Sequence, residues 1–125
     1  MKTLIAVLFL MVSVNLFAQD WAKVNPEMNN VLVDTTLIRS TIAVIEPGMK
    51  SNLHSHPASF VYALTDGKLK VYYEDGQNEE IELKAGDYFF GNPEKPHMTE
   101  NAGSKTLKFL LVELKEHPYT ASSNK

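Results

Sequence analysis

The chain has 125 residues and a net charge of −3, with 22% charged and 44% hydrophobic residues. This length and composition are typical of one globular domain and exclude an intrinsically disordered chain. Acidic and basic residues are interspersed without a basic cluster, so we expect neither a nucleic acid nor an anionic membrane as partner. The absence of cysteine excludes disulfides, thiolate metal ligands and a cysteine nucleophile.

Residues 1–18 have the layout of a secretory signal peptide. Lys2 supplies a positive charge, residues 4–14 are apolar apart from Ser13, and cleavage is expected after Ala18. The apolar run is shorter than the about 20 residues that a membrane-spanning helix needs. We therefore predict an exported protein, periplasmic or secreted, that is not held in a membrane after cleavage. An uncleaved N-terminal anchor is the alternative.

Residues 19–30 form a lead-in to the domain. They contain Pro26 and an Asn pair, which favour irregular structure. We interpret Trp21 as an aromatic side chain that covers a patch of the domain surface.

From residue 31 onward the sequence favours β-strands. Residues 31–46 are rich in Val, Ile and Thr and reach no Gly or Pro before Pro47-Gly48. Asp66-Gly67 and Asp75-Gly76 are hairpin signals, and Lys84 to Asp87 turns the chain. The apolar positions that alternation places on the inner face are Leu69, Val71, Tyr73, Ile81, Leu83, Leu107, Phe109 and Leu111.

Seven or eight short strands, separated by turn signals, predict an all-β sandwich or barrel over residues 31–116. Residues 117–125 are then a C-terminal tail in which His117 is solvated. Some strands are apolar on both faces: Phe89 and Phe90 are adjacent, and residues 109–112 are continuously apolar. A sheet with one face in water has a polar outer face. We therefore predict a homodimer, with burial under the lead-in as the alternative.

Three of the four histidines lie in two stretches punctuated by Gly and Pro, residues 48–67 and 86–101. His54 and His56 are two residues apart, so on a strand both side chains point to one face. His97 lies in the second stretch. We predict that these three imidazoles meet around one metal ion inside the barrel.

The two stretches resemble the paired motifs of the cupin superfamily. The residues at the spacings of the first motif are Gly48, His54, His56 and Gly67. The residues at the spacings of the second motif are Gly86, His97 and Asn101, with Pro93 one place late and Glu94 in place of a glycine. The resemblance implies a cupin-type jelly-roll β-barrel as a single domain. The glutamate ligand of the family would fall at Phe60, which cannot bind a metal, so the implied site has three histidines and no carboxylate.

Other candidate site residues follow from strand alternation. Counting from His56, Phe60 and Tyr62 are expected to face the interior with the histidines, although Pro57 can disturb the register. Tyr62 is a candidate proton donor or hydrogen-bond donor to a bound oxyanion, or a core aromatic residue. Thr99 and Asn101 share the parity of His97. Asn101 either orients a ligating histidine or shapes the turn before Ala102-Gly103. No Asp or Glu has evident parity with the pocket.

Three neutral imidazoles suit Fe, Zn, Cu or Ni and disfavour Mg or Ca. Because no carboxylate balances the ion, an anionic or chelating small molecule is the expected ligand. With Zn the site would support hydration or hydrolysis. With Fe(II), the resemblance implies dioxygenase chemistry, since three-histidine sites of this kind occur among cupin dioxygenases.

We therefore expect a small metal-binding barrel that acts on a small organic molecule as a dioxygenase, isomerase or lyase. A non-catalytic barrel that binds or senses a small ligand is the alternative, and a scaffold without metal is a third reading.

Overall fold

A computed structural model of the protein describes residues 19–121; the predicted signal peptide and residues 122–125 lie outside the described residues. The chain begins with a short helix, α1 (Trp21–Val24), and a turn of 3₁₀ helix (Pro26–Met28). Asp20 caps α1 by accepting hydrogen bonds from the backbone N–H groups of Ala22 and Lys23. The expectation of irregular structure in the lead-in is therefore wrong. Within residues 19–121, no helix has the length and apolar character to cross a membrane.

The rest of the described chain is built from antiparallel strands. They are β1 (Asn29–Asp34), β2 (Ile38–Ile45), β3 (His54–His56), β4 (Ser59–Ala63), β5 (Gly67–Tyr73), β6 (Asn78–Leu83), β7 (Tyr88–Gly91), β8 (Glu94–Asn101) and β9 (Leu107–Leu114). The strand order is β1-β2-β9-β4-β7 in the larger sheet and β3-β8-β5-β6 in the smaller sheet. The predicted all-β, two-sheet architecture is confirmed.

The first hairpin, between β1 and β2, has no Gly or Pro signal. Its turn is made by Thr35, whose Oγ1 accepts hydrogen bonds from the backbone N–H groups of Leu37 and Ile38. A hydroxyl that bonds to the backbone two or three residues ahead replaces the usual turn residues. This is why residues 31–46 read as uninterrupted strand from sequence.

The two Asp-Gly signals have different outcomes. Asp75-Gly76 joins β5 to β6 as the predicted hairpin, and Gly76 has a φ of 84°. Asp66-Gly67 instead carries the chain from β4 in one sheet to β5 in the other, so the hairpin prediction is wrong there. A Cβ atom on Gly67 would lie 2.7 Å from Cδ1 of the buried Leu107. Close packing at this corner accounts for the glycine.

The core lies between the two sheets. The predicted inner-face residues of β5, β6 and β9 are confirmed there, with Tyr73 and Ile81 only partly buried. The larger apolar side chains of the core are Trp21, Met28, Ile45, Val61, Leu69, Val71, Leu83, Leu107, Phe109 and Leu111. The three predicted histidine ligands are also buried, at one end of this core. His117 is exposed, as expected.

Four aromatic side chains lie together on the outside of the larger sheet. Phe60 pairs with Phe90, and Tyr62 pairs with Tyr88, across β4 and β7. We call these four residues the outer aromatic face. Tyr88 and Phe90 are 71% and 60% exposed. The lead-in therefore does not cover them, and that alternative to a dimer is wrong.

Candidate metal centre

The three histidines predicted as ligands converge on one point. Each offers a ring nitrogen, and these atoms all lie within 4.8 Å of one another. His54 and His97 are direct neighbours across β3 and β8, with ring centroids 4.5 Å apart. His56 follows on the same face of β3, so the predicted convergence is confirmed.

Backbone carbonyl groups orient two of the rings. His54 Nδ1 lies 2.7 Å from the carbonyl oxygen of Asn52, and His97 Nδ1 lies 2.8 Å from that of Lys95. A carbonyl only accepts, so each Nδ1 carries the hydrogen and each Nε2 keeps a free lone pair. His54 Nε2 is fully buried and has no hydrogen-bond partner among the described residues. An unpaired lone pair at this position fits a metal ligand.

A buried carboxylate orients the third ring. His56 Nδ1 lies 3.0 Å from Oε1 of Glu113, which is 1% exposed. Arg39 donates from Nε to Oε2 of Glu113 at 2.7 Å, and from Nη1 to Oδ2 of Asp20 at 2.8 Å. A chain of charged hydrogen bonds thus connects His56 to the residue that caps α1. Arg39 is paired with a carboxylate on each side, as a buried guanidinium requires.

The expectation that no carboxylate faces the site is wrong. Glu113 continues the inward alternation of Leu107, Phe109 and Leu111, so strand parity was the signal that could have found it. Glu94 is the carboxylate that lines the cavity itself, and its Oε2 lies 3.6 Å from His97 Nε2.

The environments of His54 and His97 favour the neutral form that binds metals. Burial and, to a smaller extent, the neighbouring His56 and His97 together lower the pKa of His54 from 6.5 to about 2. Burial also lowers the pKa of His97, although the Lys95 carbonyl and Glu94 oppose this shift. Metal ligation requires neutral imidazole, so these rings need no proton release at neutral pH.

Ion pairing keeps Arg39 and Asp20 charged. Burial would lower the pKa of Arg39, but the hydrogen bonds and charges of Asp20 and Glu113 raise it overall. Burial likewise would raise the pKa of Asp20, and Arg39 outweighs that effect and lowers it. Both groups are therefore ionised at neutral pH.

The histidines line a cavity of about 80 Å³ between the two sheets. Trp21 forms part of its wall and lies with its ring centroid 4.4 Å from that of His54 and 5.7 Å from that of His56. Its side chain is 1% exposed. The interpretation of Trp21 as a surface cover is therefore wrong, because α1 places it inside the barrel end.

The predicted inward orientation of Phe60 and Tyr62 is also wrong. Both are on the outer face of β4, at 37% and 39% exposed, whereas Ser59 and Val61 line the cavity. The chain leaves the smaller sheet after His56 and enters the larger sheet at Ser59. Residues 57–58 belong to neither strand. Alternation counted from His56 therefore assigns the wrong residues of β4 to the inner face.

Thr99 and Asn101 face inward as predicted. Thr99 forms hydrogen bonds with Ser51 Oγ through its backbone N–H at 2.8 Å and its hydroxyl at 3.3 Å, and the same Oγ lies 3.3 Å from His54 Nδ1. Thr99 thus lines the cavity and is connected to His54 through Ser51.

Asn101 joins loops instead of orienting a histidine. Its amide donates to the carbonyl oxygens of Ile45 and Lys105, and its Oδ1 accepts from the N–H of Gly103. Of the two roles considered for Asn101, turn formation is the one that these contacts support.

A two-sheet β-barrel with three buried histidines at one end belongs to the class of barrels suited to holding a transition metal through nitrogen ligands. The family model of the cupin domain matches residues 41–113, and the chain belongs to this family. The matched range includes all three histidines and Glu113.

Two curated relatives are similar to part of the chain. It is 33% identical over 69 residues to an oxalate-binding protein of Thermotoga maritima, covering 54% of each chain. It is 29% identical over 90 residues to an oxalate decarboxylase of Bacillus subtilis, covering 70% of this chain and 23% of that enzyme. The chain thus spans about half the length of the first relative and about a quarter of the second.

Solved structures share the fold. A cupin domain from Bordetella pertussis Tohama I superposes with a TM-score of 0.64 at 22% identity, covering 70% of this chain and 91% of that one. A double-stranded β-helix protein from Klebsiella pneumoniae gives a TM-score of 0.58 at 22% identity, covering 78% and 84%. At these identities the likeness establishes the architecture alone.

Proposed function

We propose that the protein binds a divalent transition metal ion through His54, His56 and His97, and a small oxygen-donor molecule at that metal. The observation that carries the proposal is the buried, unpaired Nε2 of His54, beside two further imidazoles within 4.8 Å. Leaving such an atom without a partner costs free energy unless a ligand occupies the site. The names of the two curated relatives, which concern oxalate, support a small oxygen-donor ligand.

Fe, Zn, Cu and Ni all suit three imidazoles, since nitrogen ligands favour these ions over Mg or Ca. A bound ion would supply Lewis-acid polarisation of the ligand's oxygen atoms. The chain itself holds the rings in place, through the Asn52 and Lys95 carbonyls and through Glu113.

We propose dioxygenase, isomerase or lyase chemistry on a small organic molecule as the activity. Glu113 is bonded to both His56 and Arg39, so it is not free to take a proton. Glu94 lines the cavity, is only partly buried and lies opposite His56, which makes it the candidate proton acceptor. Tyr62 lies outside the cavity and has no such position.

A non-catalytic barrel that carries or senses a small ligand is the second candidate. The observation in its favour is that Glu94 is the single carboxylate among the described residues that line the cavity. The variant Glu94→Gln separates the two candidates once a ligand is known, because ligand binding without a Glu94-dependent turnover would support the carrier.

The first experiment measures metal content in the chain expressed from Gln19 without a polyhistidine tag. We expect near-stoichiometric Fe, Zn, Cu or Ni, and loss of that metal in the double variant His54→Ala, His97→Ala. His117→Ala is the matched control, since that histidine is exposed and distant in sequence from the cluster. Equal metal content in all three proteins, or none after reconstitution, would contradict the proposal.

Export and dimerisation are further parts of the proposal. We propose cleavage after Ala18 and residence in the periplasm or outside the cell. Mass spectrometry of the protein from each cell fraction tests both, since the mass gives the cleavage site and the fraction gives the location. We also propose that a second copy of the chain covers the outer aromatic face.

A further inference from the structure

The inward positions of the larger sheet become apolar with distance from the histidines. On β9, Glu113 contacts His56, and the preceding inward positions are Leu111 and then Phe109. On β4, Val61 lies opposite Leu111. Each two-residue step along a strand covers about 7 Å. One step from the histidines, this sheet therefore offers only hydrocarbon to the cavity.

The inward positions of the smaller sheet also become apolar with distance from the histidines. On β8, Thr99 and Asn101 follow His97 at two and four residues, and their neighbours on β5 are Val71 and Leu69. Asn101 is fully engaged with backbone groups, so it offers no free amide to the cavity. Val71 and Leu69 both line the cavity.

These side chains form an apolar chamber beside the histidines. Its members are Val61, Leu69, Val71, Leu83, Phe109 and Leu111. Among the described residues, no lysine or arginine lines the cavity, and its one lining carboxylate, Glu94, lies next to His97. A charged group placed in this chamber would lose its hydration without gaining a counter-ion, which costs free energy.

We propose that the ligand of this site has one oxygen-donor head for the metal and a short apolar body that occupies the chamber, in contrast to a small dianion such as oxalate. The inference rests on the proposed metal site. The cavity volume of about 80 Å³ limits the body. At about 10–15 Å³ for each water, the space corresponds to on the order of five to eight water molecules.

Three hydroxamates with the same chelating head test the inference on the zinc-loaded protein. They are acetohydroxamate, butyrohydroxamate and the monohydroxamate of succinic acid, in which a carboxylate replaces the terminal methyl of butyrohydroxamate. Burial is worth about 0.8 kcal/mol per methylene, or about fourfold in affinity. By isothermal titration we therefore expect butyrohydroxamate to bind on the order of tenfold more tightly than acetohydroxamate, and the succinic compound to bind more weakly than both.

The outcomes separate the two proposals. No zinc-dependent binding of acetohydroxamate would contradict the metal site itself. Binding of acetohydroxamate with no gain from the longer tail, or with a preference for the charged tail, would overturn the apolar-body inference alone.

The variant Val71→Thr locates the tail, because it keeps the size of the side chain and adds a hydroxyl group to the chamber. We expect the advantage of butyrohydroxamate to shrink while acetohydroxamate affinity stays the same. Val44→Thr, on the outer side of β2, is the matched control and should change neither affinity. An unchanged tail preference in the folded Val71→Thr protein would contradict the placement of the body in the chamber. The hydroxamate series on the unmodified chain remains decisive if this variant does not fold.

Discussion

At the scale of single residues, Glu113 joins the metal centre to the rest of the fold. One carboxylate oxygen lies 3.0 Å from His56 Nδ1, and the other accepts from Arg39. Because His56 donates from Nδ1, its Nε2 lone pair is directed to the cluster, and the hydrogen bond fixes the orientation of the ring. Arg39 balances the negative charge of Glu113, and both side chains are buried.

We expect Glu113→Gln to weaken metal binding on the order of 10-fold to 100-fold, the usual effect of removing a carboxylate that supports a ligating histidine. The reason is that an amide lacks the charge and turns an N–H toward either Arg39 or His56. Competition with a chromophoric chelator measures the dissociation constant. Glu116→Gln, on an exposed turn, is the control. Affinities equal within twofold, in proteins shown to be folded, would contradict this role.

The depressed pKa values of His54 and His97 predict the stability of the metal-free protein at acid pH. Both histidines take up protons below pH 6.5 in the unfolded chain, whereas in the folded state His54 stays neutral and His97 has a lowered pKa. Stability is therefore complete above pH 6.5 and falls as the pH decreases below it. His54 alone contributes a slope of about 1.4 kcal/mol per pH unit, and His97 adds to it in the same direction.

Urea unfolding of the metal-free protein between pH 7.5 and pH 4.5 measures this slope. His54→Asn removes one of the two groups, so its slope should be smaller by about 1.4 kcal/mol per pH unit. A slope that is the same in both proteins would show that His54 is protonated in the folded state.

At the scale of elements, the path from β3 to β4 decides which residues face the metal centre. His56 ends a strand of the smaller sheet, and Ser59 begins a strand of the larger one. Of the two intervening residues, Ala58 already bonds to the end of the larger sheet: its N–H donates to the carbonyl of His117 and its carbonyl accepts from the N–H of Leu114. The aromatic residues Phe60 and Tyr62 consequently lie outside the barrel.

Helix α1 is too short to be stable on its own, so tertiary contacts hold it. Asp20 caps it and pairs with Arg39, and Trp21 packs against His54. The helix thereby closes the end of the barrel that contains the histidines.

We expect Trp21→Ala to destabilise the protein by about 3–5 kcal/mol, because it leaves a cavity in place of a fully buried ring. Trp21→Phe fills more of that space and should cost less. Circular dichroism during urea unfolding measures both, since the chain has one tryptophan and the variants lose its fluorescence. A loss below about 1 kcal/mol for Trp21→Ala would contradict the buried position, since such small changes are typical of surface sites.

At the scale of the whole molecule, the larger sheet has an inner side, which packs in the core, and an outer side, which carries the four residues of the outer aromatic face. Contiguous exposed apolar patches of this kind are typical of surfaces that bind another molecule. A second copy of the chain presents the same patch, so the two surfaces can meet about a two-fold axis.

We expect the unmodified protein to sediment as a dimer and the double variant Tyr88→Lys, Phe90→Lys to sediment as a monomer. The two lysines would place like charges opposite each other across the interface, whereas the histidine cluster would keep its metal. Leu37→Lys, an exposed apolar residue in the β1–β2 turn, is the control. A monomeric unmodified protein at micromolar concentration would refute the interface.

Much of the fold follows from local patterns in the sequence. Alternation identified the inner faces of β5, β6 and β9, because each of these strands stays in one sheet throughout its length. The Asp75-Gly76 hairpin was predictable because its strands pair with each other. The three histidines were predictable because two share a strand face and the third lies in the matching motif.

Other features depended on which strands become neighbours. The turn at Thr35 uses a side-chain hydroxyl, which carries a weaker signal than Gly or Pro. The orientation of Phe60 depended on a change of sheet that alternation does not register. The place of Trp21 depended on Asp20 meeting Arg39, a residue 19 positions away.

The sequence by itself determined the all-β class, the cupin resemblance and the identity of the three histidines, because these reside in periodicity and in motif spacing. Only the tertiary structure decided what surrounds the histidines. The long-range contacts of Glu113 with His56, of Arg39 with Asp20 and of Trp21 with His54 join separate elements. Such contacts depend on how the two sheets close around each other, and no local pattern of residues specifies that.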